Sequence, residues 1–120
     1  MLGTTITITV NAVAKVLARV SDSEPYTARY FLADSSTRDY ELLITHTVPK
    51  VRGAGKESHL FRLDVTDYDA DGVVIRKQST WTVNEVSIGR QDTTQLGYYA
   101  AAAMAFLTPT NLGYILNRDS

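Results

Sequence analysis

A chain of 120 residues holds one hydrophobic core but not two independent ones, and its 44% hydrophobic and 21% charged content excludes a disordered or fibrous protein. A formal charge of −1 excludes a global basic field, so any nucleic-acid binding must use a local patch. The lack of cysteine excludes disulfides, thiolate nucleophiles and Cys-ligated zinc, in keeping with a reducing cytoplasm.

The start, Met1-Leu2-Gly3-Thr4-Thr5, has neither the basic nor the apolar region of a secretory signal. Residues 5–10 read Thr-Ile-Thr-Ile-Thr-Val, a period-two alternation of β-branched side chains that predicts a half-buried strand. Asn11-Ala12 is a turn, and residues 14–20 complete an N-terminal hairpin. Ser21-Asp22-Ser23-Glu24-Pro25 breaks the pattern. A third strand is expected over 27–33, a turn over 34–37 and a fourth strand over 39–48, which Pro49 ends. The basic stretch 50–56 is a loop between this strand and a fifth over 58–68. Asp69-Ala70-Asp71-Gly72 turns the chain into a sixth over 73–86.

After Gly89 the period changes from strand to helix. Asp92 with Gln95 forms a capping box, and Leu96, Tyr99, Ala100, Ala103, Phe106 and Leu107 fall on one helical face. Thr108-Pro109 stops that helix, and Thr110 is placed to cap a short second one carrying Leu112, Ile115 and Leu116. The longest apolar stretch, 98–107, is about half of a bilayer span, so no membrane partner is expected. The fold class is α+β, one domain over 1–120: a hairpin over 1–21, an antiparallel meander sheet over 26–88 and a helical tail over 92–120.

Parity divides each strand into two faces. His59, Phe61, Leu63 and Val65 oppose Ser58, Arg62, Asp64 and Thr66; Tyr40, Leu42, Ile44 and Val48 oppose Glu41, Leu43, Thr45 and Thr47. In the last strand Ile75, Trp81 and Val83 oppose Arg76, Gln78, Thr80, Thr82 and Asn84. Matching apolar with apolar gives one buried face and one polar face, either simply solvated or a nucleic-acid platform. Helices of about 20 Å and 12 Å are scant cover for six strands. Either a second subunit supplies the rest, or the Ala-rich helix packs on its own sheet.

Chemical motifs are weak. Asp67-Tyr68-Asp69-Ala70-Asp71-Gly72 matches the opening of an EF-hand loop, but position twelve is Gln78 and the flanks are strands, so a hairpin turn is favoured. Gly55-Lys56 echoes a P-loop without its Ser or Thr. His46 and His59 have no ligand at metal-binding sequence spacing, and no acid, base or nucleophile set converges, so no catalytic residue, metal or cofactor is assigned.

This order of elements resembles the coat proteins of single-stranded RNA bacteriophages over nearly the whole chain. The resemblance is carried by His59-Leu60-Phe61-Arg62-Leu63-Asp64-Val65-Thr66, by Ser79-Thr80-Trp81-Thr82-Val83-Asn84 and by residues 103–112 of the helical tail. It implies an interlocked homodimer, with each subunit's helices over its partner's strands through Leu96, Tyr99, Ala100, Ala103, Phe106 and Leu107. Dimers would then build a quasi-equivalent icosahedral shell around genomic single-stranded RNA. It further implies that the inward sheet face binds RNA and, in several members, an operator hairpin that represses replicase translation. On this chain that face is expected to carry Thr45, Thr47, Arg62, Thr66, Arg76, Gln78, Thr80 and Thr82, with Asp64 and Glu41 opposing phosphate attraction. Such coats often stack a base on a Tyr of the last strand, and parity places no aromatic on this face of residues 73–86. Two other readings are a dimeric RNA-binding regulator that forms no shell, and an α+β ligand-binding protein or small enzyme.

Overall fold

The computed structural model describes residues 3–20, 26–48, 55–87 and 89–117. It consists of β1 (Thr5–Val10), β2 (Val13–Val20), β3 (Thr27–Ser35), β4 (Arg38–Thr47), β5 (Lys56–Tyr68) and β6 (Val74–Ser87), followed by α1 (Thr93–Phe106) and α2 (Pro109–Leu116). The strands form one antiparallel sheet in sequence order. The breaks expected at 21–25 and Pro49, and the basic loop apart from Gly55 and Lys56, lie outside the described residues.

Asn11 and Ala12 take positive φ values of 48° and 66°, the left-handed pair that a two-residue hairpin requires if its strands are to keep their twist. Among the described residues β2 pairs with β3 through Ala18, Arg19 and Val20, and further along β2 Lys15 reaches Asp34 at 3.0 Å. The hairpin brings its inner side chains onto the centre of the sheet. Leu17 joins Ala28, Tyr30, Tyr40 and Leu42 in the buried core, and Ile6, Ile8, Val10, Leu32, Ile44, Leu63 and Val65 pack around them. Tyr30 is fully buried because its hydroxyl donates to the Gly3 carbonyl at 2.8 Å, which leaves only ring surface to desolvate.

The β5–β6 hairpin departs from the parity expectation. Its turn is closed by Asp69, whose Oδ1 accepts from the amides of Asp71 and Val73, both at 2.9 Å, with Gly72 at φ +81°. Tyr68 then pairs with Val74, but Asp67 pairs with Arg76, leaving Ile75 as an extra residue. A single bulge shifts the pairing by one and carries every later side chain of the strand to the opposite face. Consequently Arg62 stands opposite Trp81, while Leu63 stands opposite Thr80 and Val65 opposite Gln78. The apolar parity of β6 therefore shares a face with the polar parity of β5.

Asp92 caps α1 as its spacing suggests, accepting from the Gln95 amide at 3.1 Å. α2 is capped by Thr108, not Thr110: the Thr108 hydroxyl accepts from the Asn111 amide at 3.3 Å, and Pro109 takes the first helical position, where its missing N–H costs nothing. The two helices lie on the core side of the sheet. Thr82 contacts the Met104 sulfur at 3.7 Å, and a cleft of about 410 Å³ between α2 and the sheet is lined by Leu63, Val65, Gln78, Ser79, Thr80, Leu112 and Leu116. Neither helix has a buried residue. No helix among the described residues is long and apolar enough to cross a membrane.

Candidate nucleic-acid interface

The sheet face away from the helices is open. Register places Thr45, Thr47, Arg62 and Thr66 there, together with Arg29, Phe31, Glu41, Leu43, Leu60, Asp64, Lys77, Ser79, Trp81 and Val83. Arg76, Gln78, Thr80 and Thr82, which parity groups with Arg62, face the helices instead. The expected set is thus split between two faces, and the aromatic that parity excludes from the Arg62 face is on it. Trp81 is 59% exposed, and the Arg62 guanidinium lies 5.4 Å from its ring centre. Such a cation–π contact contributes about 0.5–1 kcal/mol at an exposed site.

The open face has two zones. At one end a concavity of about 240 Å³ gathers Asp39, Glu41 and Asp64 with Phe31, Thr66, Tyr68, Val74 and Lys77. Its carboxylates are engaged within the sheet: Tyr68 donates to Asp39 at 2.7 Å, Arg29 to Glu41 at 3.4 Å, and both Arg62 Nε, at 2.9 Å, and the Ser79 hydroxyl donate to Asp64. The bond to Asp39 raises the Tyr68 phenol above its ordinary pKa, since ionisation would sacrifice that donor. Towards the other end lie Trp81, Thr45, Thr47, Leu60 and Val83. Stacking surface, hydroxyls and the Arg62 cation meet where the zones adjoin.

Arg76 has a different occupation. With Arg38 it clamps the buried Asp67 carboxylate, at 2.9 Å and 2.6 Å respectively. Chiefly the Arg38 hydrogen bond, then that of Arg76, holds Asp67 below the ordinary carboxylate range; Asp67 in turn raises Arg38. Arg76 therefore belongs to the sheet's internal bracing.

On the helices, Leu96 and Ala100 are half-buried, whereas Tyr99, Ala103, Phe106 and Leu107 are exposed, Phe106 to 60%. With Tyr98, Tyr114, Ile115 and Leu116 also exposed, the tail presents far more apolar side chain to solvent than isolated surface hydrophobics account for. Among the described residues β6, an edge strand of 14 residues, pairs with β5 alone. Its outer backbone groups have no strand partner within the sheet, the arrangement that invites pairing with another chain.

Comparison with known proteins decides the family. A family model described as "Phage phiCb5, coat protein" matches residues 3–87, from the hairpin through β6. The chain belongs to the phage phiCb5 coat protein family. No curated protein matches this coat protein by sequence. Among solved structures it resembles the virus-like particle of Beihai levi-like virus 21, with a TM-score of 0.70, 15% identity and coverage of 97% of this chain and 94% of the other. It also resembles the virus-like particle of bacteriophage ESE058, with a TM-score of 0.68, 10% identity and coverage of 96% and 95%. The capsid protein of bacteriophage GA follows, with a TM-score of 0.63, 16% identity and coverage of 97% and 95%. At such identities the likeness establishes the fold, and it extends over the helical tail that the family model does not reach. The coat protein is a capsid-forming structural component of a phage virion, with a structural rather than an enzymatic role.

Proposed function

We propose that this coat protein pairs into a homodimer through β6 and its helices, and that the open sheet face lines the shell interior and contacts single-stranded RNA. The observation that carries the RNA reading is Trp81, 59% exposed beside Arg62 on the helix-free face. An indole has a π-face that any base can stack on, worth about 1–3 kcal/mol per base, and a guanidinium beside it can take the adjoining phosphate. Thr45 and Thr47 add hydroxyl donors on the same face. The acidic concavity confines phosphate contact to the Trp81 end and keeps binding modest and salt-sensitive. An operator hairpin that represses replicase translation would use this same platform, with one unpaired base on Trp81.

The homodimer reading rests on the unpaired outer edge of β6 and on the exposed apolar side chains of α1 and α2. Tyr99, Ala103, Phe106 and Leu107 are proposed to pack on the partner's sheet, with Leu96 and Ala100 at the margin. The test is expression of the chain alone, followed by measurement of nuclease-protected RNA in purified particles. Trp81→Ala is expected to assemble with less RNA, and unchanged RNA content would reject the platform. A stable dimer without particles would favour the regulator reading.

A further inference from the structure

The chain's two histidines are 13 positions apart in sequence but directly opposed across β4 and β5. Their Nδ1 atoms lie 2.7 Å apart, with the rings 5.0 Å between centres and inclined at 67°. We propose that His46 and His59 form a two-imidazole chelate for a divalent transition metal of the copper class. Two nitrogens at about 2.0–2.1 Å from one ion, at right angles, stand about 2.9 Å apart, close to the spacing found here, so rotation of the two rings until both Nδ1 lone pairs converge on one point admits the metal. The rigid sheet has already brought the ligands together.

An acidic side chain neighbours the pair. Glu57, two residues before His59 on the same face of β5, has Oε2 at 3.8 Å from His59 Nε2. At that distance the carboxylate is an electrostatic neighbour of Nε2, placed to favour a cation bound at the pair. Without metal, one Nδ1–H donates to the other Nδ1; on metal binding that proton moves to the Nε2 of its own ring through solvent, so no net proton is lost. In the single chain His46 is exposed and His59 half-buried, at the end of the face that carries Ile44 and Phe61. No cluster of three or more His, Cys, Asp or Glu residues suited to a metal occurs among the described residues, so water completes the coordination, and the ion is exchangeable rather than structural.

The test is titration of the intact, assembled chain with Cu²⁺ alone, followed by calorimetry and electron paramagnetic resonance. One ion per subunit with hyperfine coupling to two imidazole nitrogens is the expected result. His46→Ala and His59→Ala should each weaken binding at least about tenfold, since even outer-shell losses cost that much, and Glu57→Gln should weaken it less. Absence of saturable binding, affinity unchanged in both histidine variants, or a spectrum without two nitrogens would each overturn the proposal. The spectrum of the unsubstituted chain decides the matter even if a variant fails to fold.

Discussion

The stretch from β1 to β5 and the stretch from β6 to α2 follow opposite rules. In the first, Leu17, Tyr30, Tyr40 and Leu42 are buried by contacts within one chain, and the Tyr30 hydroxyl finds its acceptor there. In the second, Trp81, Phe106 and Leu116 are 59%, 60% and 74% exposed, and neither helix buries a residue. Apolar surface left in water forgoes about 25 cal/mol for each Å² that could be covered. The first region thus carries the fold, and the second carries the free energy available for association. A coat subunit needs both, because a shell assembles only if burial is left incomplete in the single chain.

Substitutions that act on one region and spare the other break or sharpen this contrast. The largest effect is expected at Leu42, which is fully buried: Leu42→Ala should cost about 2–5 kcal/mol in denaturant unfolding. The same truncation at Leu116 should change the stability of the isolated subunit by no more than about 0.5 kcal/mol while weakening dimers in sedimentation. Comparable losses at both positions would show that the tail already belongs to the subunit core.

Next in size is RNA binding. Arg62→Ala should lower affinity and reduce the slope of log affinity against log salt by about one, the signature of a lost phosphate contact. Arg76→Ala should leave that slope unchanged and instead lower stability, because its guanidinium clamps Asp67 on the other face. Filter binding across a salt series, paired with denaturant unfolding of both variants, checks the split.

The smallest effect is a pH dependence. Asp67 is held below its ordinary value of 3.8 in the fold, so its stabilising contribution is fully present above that pH and is lost as pH falls through the lower folded value. Asp67→Asn should remove this acid limb and leave stability flatter between pH 4 and pH 2 in an unfolding series. A limb of unchanged slope would assign it to other carboxylates.

The strands, turns and helices were legible because each rests on local signals: alternation in 5–10, left-handed turn residues at Asn11 and Ala12, and the Asp92 cap. What local signals cannot carry is which face of one strand matches which face of the next. That depends on register, and here on one bulged residue, Ile75. The run Val73-Val74-Ile75, which breaks alternation at the start of β6, is the sequence trace of that bulge. Assigning apolar parity to the core placed Trp81 inside and Arg76, Gln78, Thr80 and Thr82 outside, and the register reverses both. The facing of His46 and His59 was illegible for the same reason, since it is a property of pairing rather than of spacing. Helix length alone showed that two short helices cannot cover six strands, but whether the tail packs on its own sheet was open until its exposure was seen.

In the proposed arrangement the Trp81 face meets RNA while the helices serve a neighbouring subunit. Electron cryo-microscopy of particles formed by the chain expressed alone tests it most directly. RNA density is expected against Trp81 and Arg62 on the interior, with α1 and α2 lying over the partner's strands. RNA density on the Thr80 and Thr82 face, or helices folded back over their own sheet, would contradict it.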